Sequence, residues 1–295
     1  MTSQFLERLR AGEVLVADGA TGTNLQAAGL KPGASPEEWV FDHPERIVNL
    51  HRSFVEAGSD IILTDTFGGT YLRLKDSKYA DHAAELNRQA VTLAREAASA
   101  RAGVMVGGSL GPIGLLLEPF GPLKVGEAVT AFADQAQALA DGGADLLVIE
   151  THFALDEAKA AVEAARRVTS LPIVISFSYD RGVRTMMGVS PTQVAWTFKA
   201  LGVAAIGANC GTTLENMEKI VQEYAAADSS LFVWAKPNAG LPAVDAATGK
   251  SVYNVTPEQI SEYTRRYVQA GARIVGGCCG SSPAHVAAIA RAVRV

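Results

Sequence analysis

Short, uniformly apolar runs alternate along this chain with longer segments whose apolar residues recur every three or four positions. The runs occupy residues 14–17, 61–64, 104–107, 146–149, 173–177, 204–207, 231–235 and 274–276. Most are rich in Val, Ile or Leu without polar alternation, as strands buried on both faces of a parallel sheet must be. The intervening segments read as amphipathic helices: Val129, Phe132, Ala133, Ala136, Leu139 and Ala140 follow a 3.6-residue period, as do Leu214, Met217, Val221 and Tyr224. Thr256-Pro257-Glu258 and Ser282-Pro283 place a capping hydroxyl before a proline at the first helical position. Gly58, Gly143, Gly202 and Gly271 stand where helix-ending glycines are needed. Eight strand–helix units predict an α/β fold, a (β/α)8 barrel, with residues 1–295 as one domain. A doubly wound open sheet is the competing architecture, but its fingerprint glycine turn is absent. Residues 31–39 and 111–126, each holding prolines, read as long loops.

Polar and reactive residues gather directly after these runs. Asp18-Gly19-Ala20-Thr21-Gly22 follows the first, Asp65-Thr66-Phe67-Gly68 the second, Ser109-Leu110-Gly111-Pro112 the third and Glu150-Thr151 the fourth. Asn209-Cys210-Gly211 follows the sixth, Lys236-Pro237-Asn238-Ala239-Gly240 the seventh, and Gly276-Gly277-Cys278-Cys279-Gly280 the eighth. In a barrel these positions share the rim where active sites form.

All three cysteines lie on that expected rim, after the sixth and eighth runs, which a closed barrel separates by one strand. Three thiolates around zinc leave a fourth tetrahedral position open, as in a catalytic site. Such a complex carries a net charge of about −1, a poor Lewis acid for splitting water but a suitable host for a substrate thiol that stays nucleophilic. The competing readings are small buried hydrophobes or a vicinal Cys278–Cys279 disulfide, and the latter leaves Cys210 without a purpose.

The segments GANCG, GGCCGSSPAHV, DGATGTNL, TDTFGG, GSLGP, IETHFALDEAKAAVEAAR and KPNAGLP resemble the homocysteine S-methyltransferase family over essentially the whole chain. The PNAGLP loop and the SVYNVTPEQISEYTRRYVQAGARIVGGCCG tail are most similar to the homocysteine-binding barrel of bacterial cobalamin-dependent methionine synthase. The resemblance implies zinc on Cys210, Cys278 and Cys279, a (β/α)8 barrel, and methyl transfer to homocysteine giving methionine. It implies that Glu150 meets the substrate amino group and that Asp18 and Gly19 form the family's first-strand turn; Ser109, Asn209 and Asn238 are further candidates for the substrate-binding set. Capping or turn formation is the competing reading for Glu150, Asp18 and the two asparagines. One departure is Asp65, where relatives often carry asparagine. His152 is expected on the rim without catalytic duty, and His43, His51, His82 and His285 on the surface; Trp196 and Phe198 are expected to pack.

Within the 295 residues no D-x-H-x-x-G corrinoid motif occurs, Asp42-His43 being followed by Pro44. The implied donor is methylcobalamin on a separate corrinoid protein, or a methyltetrahydrofolate-derived methyl; S-methylmethionine or betaine are the small-donor alternatives. A non-catalytic zinc or redox-sensing barrel, or an enzyme demethylating an amine or ether, also stays open. The net charge of −5 argues against nucleic acid as partner. No run reaches the roughly 20 apolar residues of a membrane span and no N-terminal signal pattern occurs, so the expected location is cytoplasmic.

Overall fold

The protein is described by a computed structural model covering residues 3–31, 33–244 and 251–294. Eight parallel strands form one sheet: β1 (Leu15–Val16), β2 (Ile61–Leu63), β3 (Met105–Leu110), β4 (Leu146–His152), β5 (Ile173–Phe177), β6 (Ala205–Asn209), β7 (Val233–Lys236) and β10 (Ala272–Val275). Their order is β1-β10-β7-β6-β5-β4-β3-β2, and a parallel bridge from Ala17 to Ile61 joins the two ends. The result is a (β/α)8 barrel. Strands β8 (Ala243–Val244) and β9 (Ser251–Val252) form a separate antiparallel pair above the end of β7.

Around the barrel run α4 (Pro44–Ala57), α5 (Ala83–Ala98), α6 (Val125–Asp141), α7 (Leu155–Val168), α8 (Pro191–Ala200), α9 (Leu214–Ala227), α10 (Pro257–Gln269) and α11 (Pro283–Val293). Three short helices complete the set: α1 (Gln4–Arg10), α2 (Thr21–Ala27) and α3 (Trp39–Asp42).

The uniform apolar runs have a simple cause: both strand faces are buried, but in different cores. Leu15, Ile61, Leu63, Met105, Leu146, Val148, Val174, Ala205, Trp234 and Ile274 fill the barrel interior, closed below by Phe5 and Leu9 of α1. Their neighbours Val16, Ile62, Val106, Leu147, Ile149, Ile175, Ile206, Ala235 and Val275 face the helices. Side chains therefore alternate strictly between interior and helix layer. Gly207 lets strand β7 approach closely at Trp234, since a Cβ there would lie 1.9 Å from the Trp234 carbonyl oxygen and 2.6 Å from its Cβ.

Helix ends follow the sequence signals. Thr256 caps α10 by accepting from Gln259 N–H, and Gly58, Gly143, Gly202 and Gly271 all adopt positive φ. Several expectations need correction. Residues 31–39 do not follow the first strand directly: α2 intervenes, and Pro36–Glu38 and α3 form helical turns. Strands β3, β4, β6 and β7 extend to Leu110, His152, Asn209 and Lys236, so Ser109, Glu150, Asn209 and Lys236 belong to the strands themselves. His51 is buried, since it lies on the barrel side of α4 beside Phe54 and Val55. His285 is half-buried, its Nδ1 beside Ser282 Oγ at 2.9 Å and its Nε2 beside Val255 O at 2.9 Å. Trp196 is 64% exposed on the outer face of α8, while Phe198 on the inner face is buried.

The lower end of the barrel is tied by Asp60. Its Oδ2 accepts from Val16 N–H at 2.9 Å, while Oδ1 faces Arg8 at 3.3 Å and Arg101 and Arg294 at 3.4 Å each. Replacing Asp60 by Ala leaves three guanidinium groups without their shared anion. A loss of about 3 kcal/mol is expected in chemical denaturation; a loss below about 0.5 kcal/mol would show that the cluster is ornamental.

Burial holds the imidazoles of His51 and His152 below the ordinary value of 6.5, at about 4 and about 3. Unfolding restores ordinary basicity, so the unfolded chain binds these protons first as pH falls. Stability from the two neutral rings is complete above about pH 6.5 and declines towards about pH 4. Denaturation midpoints at about pH 7.5 and about pH 4.5 test this, and equal midpoints would contradict it.

Candidate metal centre

The strand parity that fills the barrel interior continues to its upper rim. Counting in steps of two from interior residues, β3 presents Ser109, β4 Glu150, β5 Ser176, β6 Asn209 and β7 Lys236; the step beyond β10 reaches Cys278. All of these are buried except Cys278, which is half-buried.

The three cysteines meet here. Cys210 Sγ lies 3.5 Å from Cys278 Sγ and 3.6 Å from Cys279 Sγ, and all three sulfurs fall within 4.8 Å of one another. Strand β7 sets this convergence. Cys210 N–H donates to Lys236 O at 3.2 Å on one side, and Cys278 N–H to Pro237 O at 2.7 Å on the other. Ala239 N–H in turn donates to Cys279 O at 2.9 Å. Cys210 adopts φ 59°, a left-handed conformation unusual for a residue with a Cβ, which turns its side chain out of the β6 direction.

Asn209 braces the neighbouring strand ends. Its Oδ1 accepts from Ser176 Oγ at 2.6 Å and Thr151 N–H at 3.0 Å. Its Nδ2 donates to Thr151 Oγ1 at 2.7 Å and points towards Cys278 Sγ at 3.8 Å. Thr151, at φ 65°, shares the left-handed conformation and is held by the same asparagine. Tyr253, just after β9, lays its ring on Gly280, where a Cβ would come within 2.2 Å of its Cγ. Burial together with the nearby thiols raises the phenol pKa.

The thiols hold their protons strongly when no cation is present. For Cys210 the bond with Cys278 acts downwards, but the bond with Cys279 and burial outweigh it and the pKa rises to about 12. For Cys279 the bond with Cys210 acts downwards and the influence of Cys278 outweighs it, again giving about 12. Cys278 is raised as well, first by its bond with Cys210.

Beside the sulfurs sits a charged group that sequence reading gave no role. Lys236 is buried, and its Nζ donates to Asp18 Oδ1 at 2.6 Å. Burial alone lowers a lysine pKa, but the charges of Asp18 and Glu150 prevail and raise it. Asp18 Oδ2 accepts from Leu63 N–H at 2.7 Å. Glu150 Oε1 accepts from Ser109 Oγ at 2.7 Å and Oε2 lies 3.5 Å from Asn209 Nδ2. Burial raises the Glu150 pKa, with Lys236 and the Ser109 bond acting against it.

The remaining expected site residues divide. Asn238 is buried, and its Oδ1 has no hydrogen-bond partner among the described residues. Gly19 is packed tightly: a Cβ would fall 2.6 Å from the Phe54 ring and 2.7 Å from Ser281 O. Asp65 is buried and its pKa raised by burial and by Glu37, with no cysteine among the causes. His152 is not on the exposed rim: it is fully buried, 6.0 Å from the Phe132 ring and 3.9 Å from Glu157, because α6 and α7 cover that strand end.

Comparison with known proteins bears on this site. Residues 15–293 match the family described as Homocysteine S-methyltransferase. The chain is 31% identical over 296 residues to a methionine synthase of Mycobacterium tuberculosis, aligning 95% of this chain with 24% of that protein. It is 30% identical over 307 residues to the methionine synthase of Mycobacterium leprae, 99% of this chain with 25% of that one. It thus spans about a quarter of the length of these relatives. Among solved structures it is similar to the homocysteine methyltransferase MmuM of Escherichia coli in its metallated form, at 25% identity and TM-score 0.83, covering 98% and 99% of the two chains. The apo form of that protein gives a TM-score of 0.75 over 96% and 97%. Among the described residues no helix is long and apolar enough to cross a membrane.

The thiol pKa values lead to a test. Zn²⁺ added to metal-free protein near neutral pH must displace protons from all three thiols, so close to three protons per ion are expected by calorimetry in two buffers. Affinity falls as pH falls, because protons compete for the same sulfurs. Cys210→Ala is expected to lose stoichiometric zinc on gel filtration; retention at the wild-type level would remove Cys210 from the ligand set.

Proposed function

The chain belongs to the homocysteine S-methyltransferase family, and from that membership we propose that it methylates the thiol of homocysteine at a zinc ion held by Cys210, Cys278 and Cys279. The observation that carries this reading is the meeting of the three sulfurs at the barrel mouth, within 4.8 Å of one another. The donor set suits the ion: three soft thiolates are a zinc-binding combination, and a tetrahedral ion so held keeps one position open. When bound, zinc supplies a lowered thiol pKa, so that an incoming thiol loses its proton and attacks at neutral pH.

The chain's own residues perform the rest. Glu150, fixed by Ser109, presents Oε2 to the substrate ammonium. Asn209 directs an amide N–H towards Cys278 Sγ, which stabilises a thiolate there and keeps the sulfur aimed. Asn238 Oδ1, without a partner among the described residues, offers a buried acceptor to the substrate. Asp18 and Gly19 form the wall beside the 276–281 loop, with Gly19 allowing close contact to Ser281. Fixing sulfur and amino group together aligns the thiol for in-line displacement at a methyl carbon, a step that depends strongly on orientation.

The donor reading rests on the rim. Phe120 is 73% exposed on the segment between β3 and α6, Met186 and Met187 are 50% and 44% exposed between β5 and α8, and Leu241, Val244 and Val252 are 53%, 74% and 45% exposed beyond β7. Apolar residues on three segments around one opening suit a macromolecular face better than a small polar donor. The donor in this reading is a methylcorrinoid carried by a separate protein or domain. Zinc-loaded protein with L-homocysteine is expected to form methionine with methylcobalamin. Equal or faster turnover with S-methylmethionine or betaine would reassign the donor, and no methionine from any of the three would overturn the function.

A further inference from the structure

The three cysteines are not held alike. Cys278 and Cys279 sit on a loop bonded to the ends of two strands. Gly277 N–H donates to Asp18 O at 3.0 Å, Cys278 N–H to Pro237 O at 2.7 Å, and Cys279 O accepts from Ala239 N–H at 2.9 Å. Cys210 N–H is bonded to β7, but its carbonyl turns back on its own segment and accepts from Thr212 N–H at 2.8 Å. That bond closes a three-residue turn in which Cys210 and Gly211 take φ 59° and 69°, two successive left-handed positions. A residue with a Cβ keeps such a conformation only where its surroundings determine it.

Those surroundings belong to the segment between β5 and α8. Gly211 is seated on its first residues, where a Cβ would lie 2.3 Å from Ser178 Oγ and 3.1 Å from Tyr179 N. Thr212 is buried and donates from Oγ1 to Gly182 O at 3.1 Å. The acceptor is itself fixed: Gly182 lies in a hairpin closed by two backbone hydrogen bonds between Arg181 and Arg184, at 3.0 and 3.2 Å. Thr185, next along, donates from Oγ1 to Phe153 O at 2.8 Å. The Tyr179 hydroxyl bonds that of Tyr224 at 2.6 Å, and Tyr224 donates to Gly207 O of β6 at 3.1 Å. The segment is thus tied to β6 before the turn, and Thr212 ties it to the turn itself.

We propose that Thr212 is a positioning residue for Cys210: its hydroxyl, by gripping Gly182 O, keeps the left-handed turn in the form that aims the Cys210 sulfur at its two partners. This role rests on zinc being held by the three sulfurs, and Thr212 acts on the metal only through the backbone of the turn. Without the bond the turn is free to relax to ordinary backbone, and a sulfur now 3.5 Å from Cys278 Sγ swings away from the shared ion. Groups that orient a metal ligand govern affinity by about tenfold or more.

The readouts are Zn²⁺ affinity, by competition with a chromophoric chelator, and the thiolate-to-metal charge-transfer band of Co²⁺-loaded protein, which follows the number of bound sulfurs. Thr212→Val keeps the shape of the side chain and removes the donor. It is expected to weaken zinc binding about tenfold and to lower the charge-transfer band. Thr212→Ser keeps the donor and is expected to bind zinc within about threefold of wild type. Thr213→Ala, which removes the cap accepting from Asn216 N–H at the start of α9, is expected to lower the thermal midpoint but leave zinc affinity within about threefold. If Thr212→Val does not fold, Gly182→Ala tests the same bond from its acceptor side. The space there is open, but φ 68° strains any residue with a Cβ, so the carbonyl shifts and zinc binding weakens. Unchanged zinc affinity in Thr212→Val, or in Gly182→Ala where it stands in, would overturn the proposal. So would a Thr212→Ser as weak as Thr212→Val, or equal losses of affinity in Thr212→Val and Thr213→Ala, which would reduce the effect to general stability. Wild-type protein without stoichiometric zinc would instead sink the metal reading, and the role of Thr212 with it.

Discussion

The rim depends on β7 lying between β6 and β10. Its last residue and the proline that follows offer carbonyls to both sides, one to Cys210 N–H and one to Cys278 N–H. Two segments 68 residues apart in sequence are thereby fixed on one short piece of backbone, and their sulfurs come to 3.5 Å. A slip of one residue in either pairing would turn the inward side chains to the helix layer, because side chains alternate along a strand. The convergence of the sulfurs is thus a consequence of barrel register, with the left-handed turn at Cys210 making the last adjustment.

Burial gives this rim its chemistry. Thiols that touch one another away from water keep their protons at neutral pH, and a divalent cation is what reverses the preference. The same desolvation makes the Lys236–Asp18 pair a fixed feature, since either charge alone would be costly at its depth. Burial pushes the Glu150 carboxyl above its ordinary value, with the nearby Lys236 ammonium and the Ser109 bond acting against it.

The two ends of the barrel divide the work. Below, α1 plugs the interior with Phe5 and Leu9, and Asp60 gathers arginines from three distant segments. Nothing reactive lies in that cluster, and its role is to hold the closing strands together. Above, the strands end in polar side chains, two of them beside strained backbone, and the segments that leave them carry exposed apolar residues. Stability is concentrated at one pole and chemistry at the other, as expected where loops can vary without disturbing the packed layers.

Much of this was legible in the amino-acid order. Runs without alternation gave eight buried parallel strands, the glycines after helices gave their ends, and three cysteines after the sixth and eighth runs pointed to a cluster of sulfurs on the rim. Those features are local: a strand buried on both faces, a left-handed helix end and a reactive rim residue each leave a mark within a few positions. Lys236 was within reach of the same reasoning, since counting inward positions along the seventh run lands on it. Its partner was not. Asp18 is separated from Lys236 by 218 residues and meets it only because the barrel closes. For the same reason burial of His51 and His152 and exposure of Trp196 escaped the sequence, because each depends on which neighbouring helix covers the position. Periodicity determines which residues share a face; only the packed fold decides what that face meets.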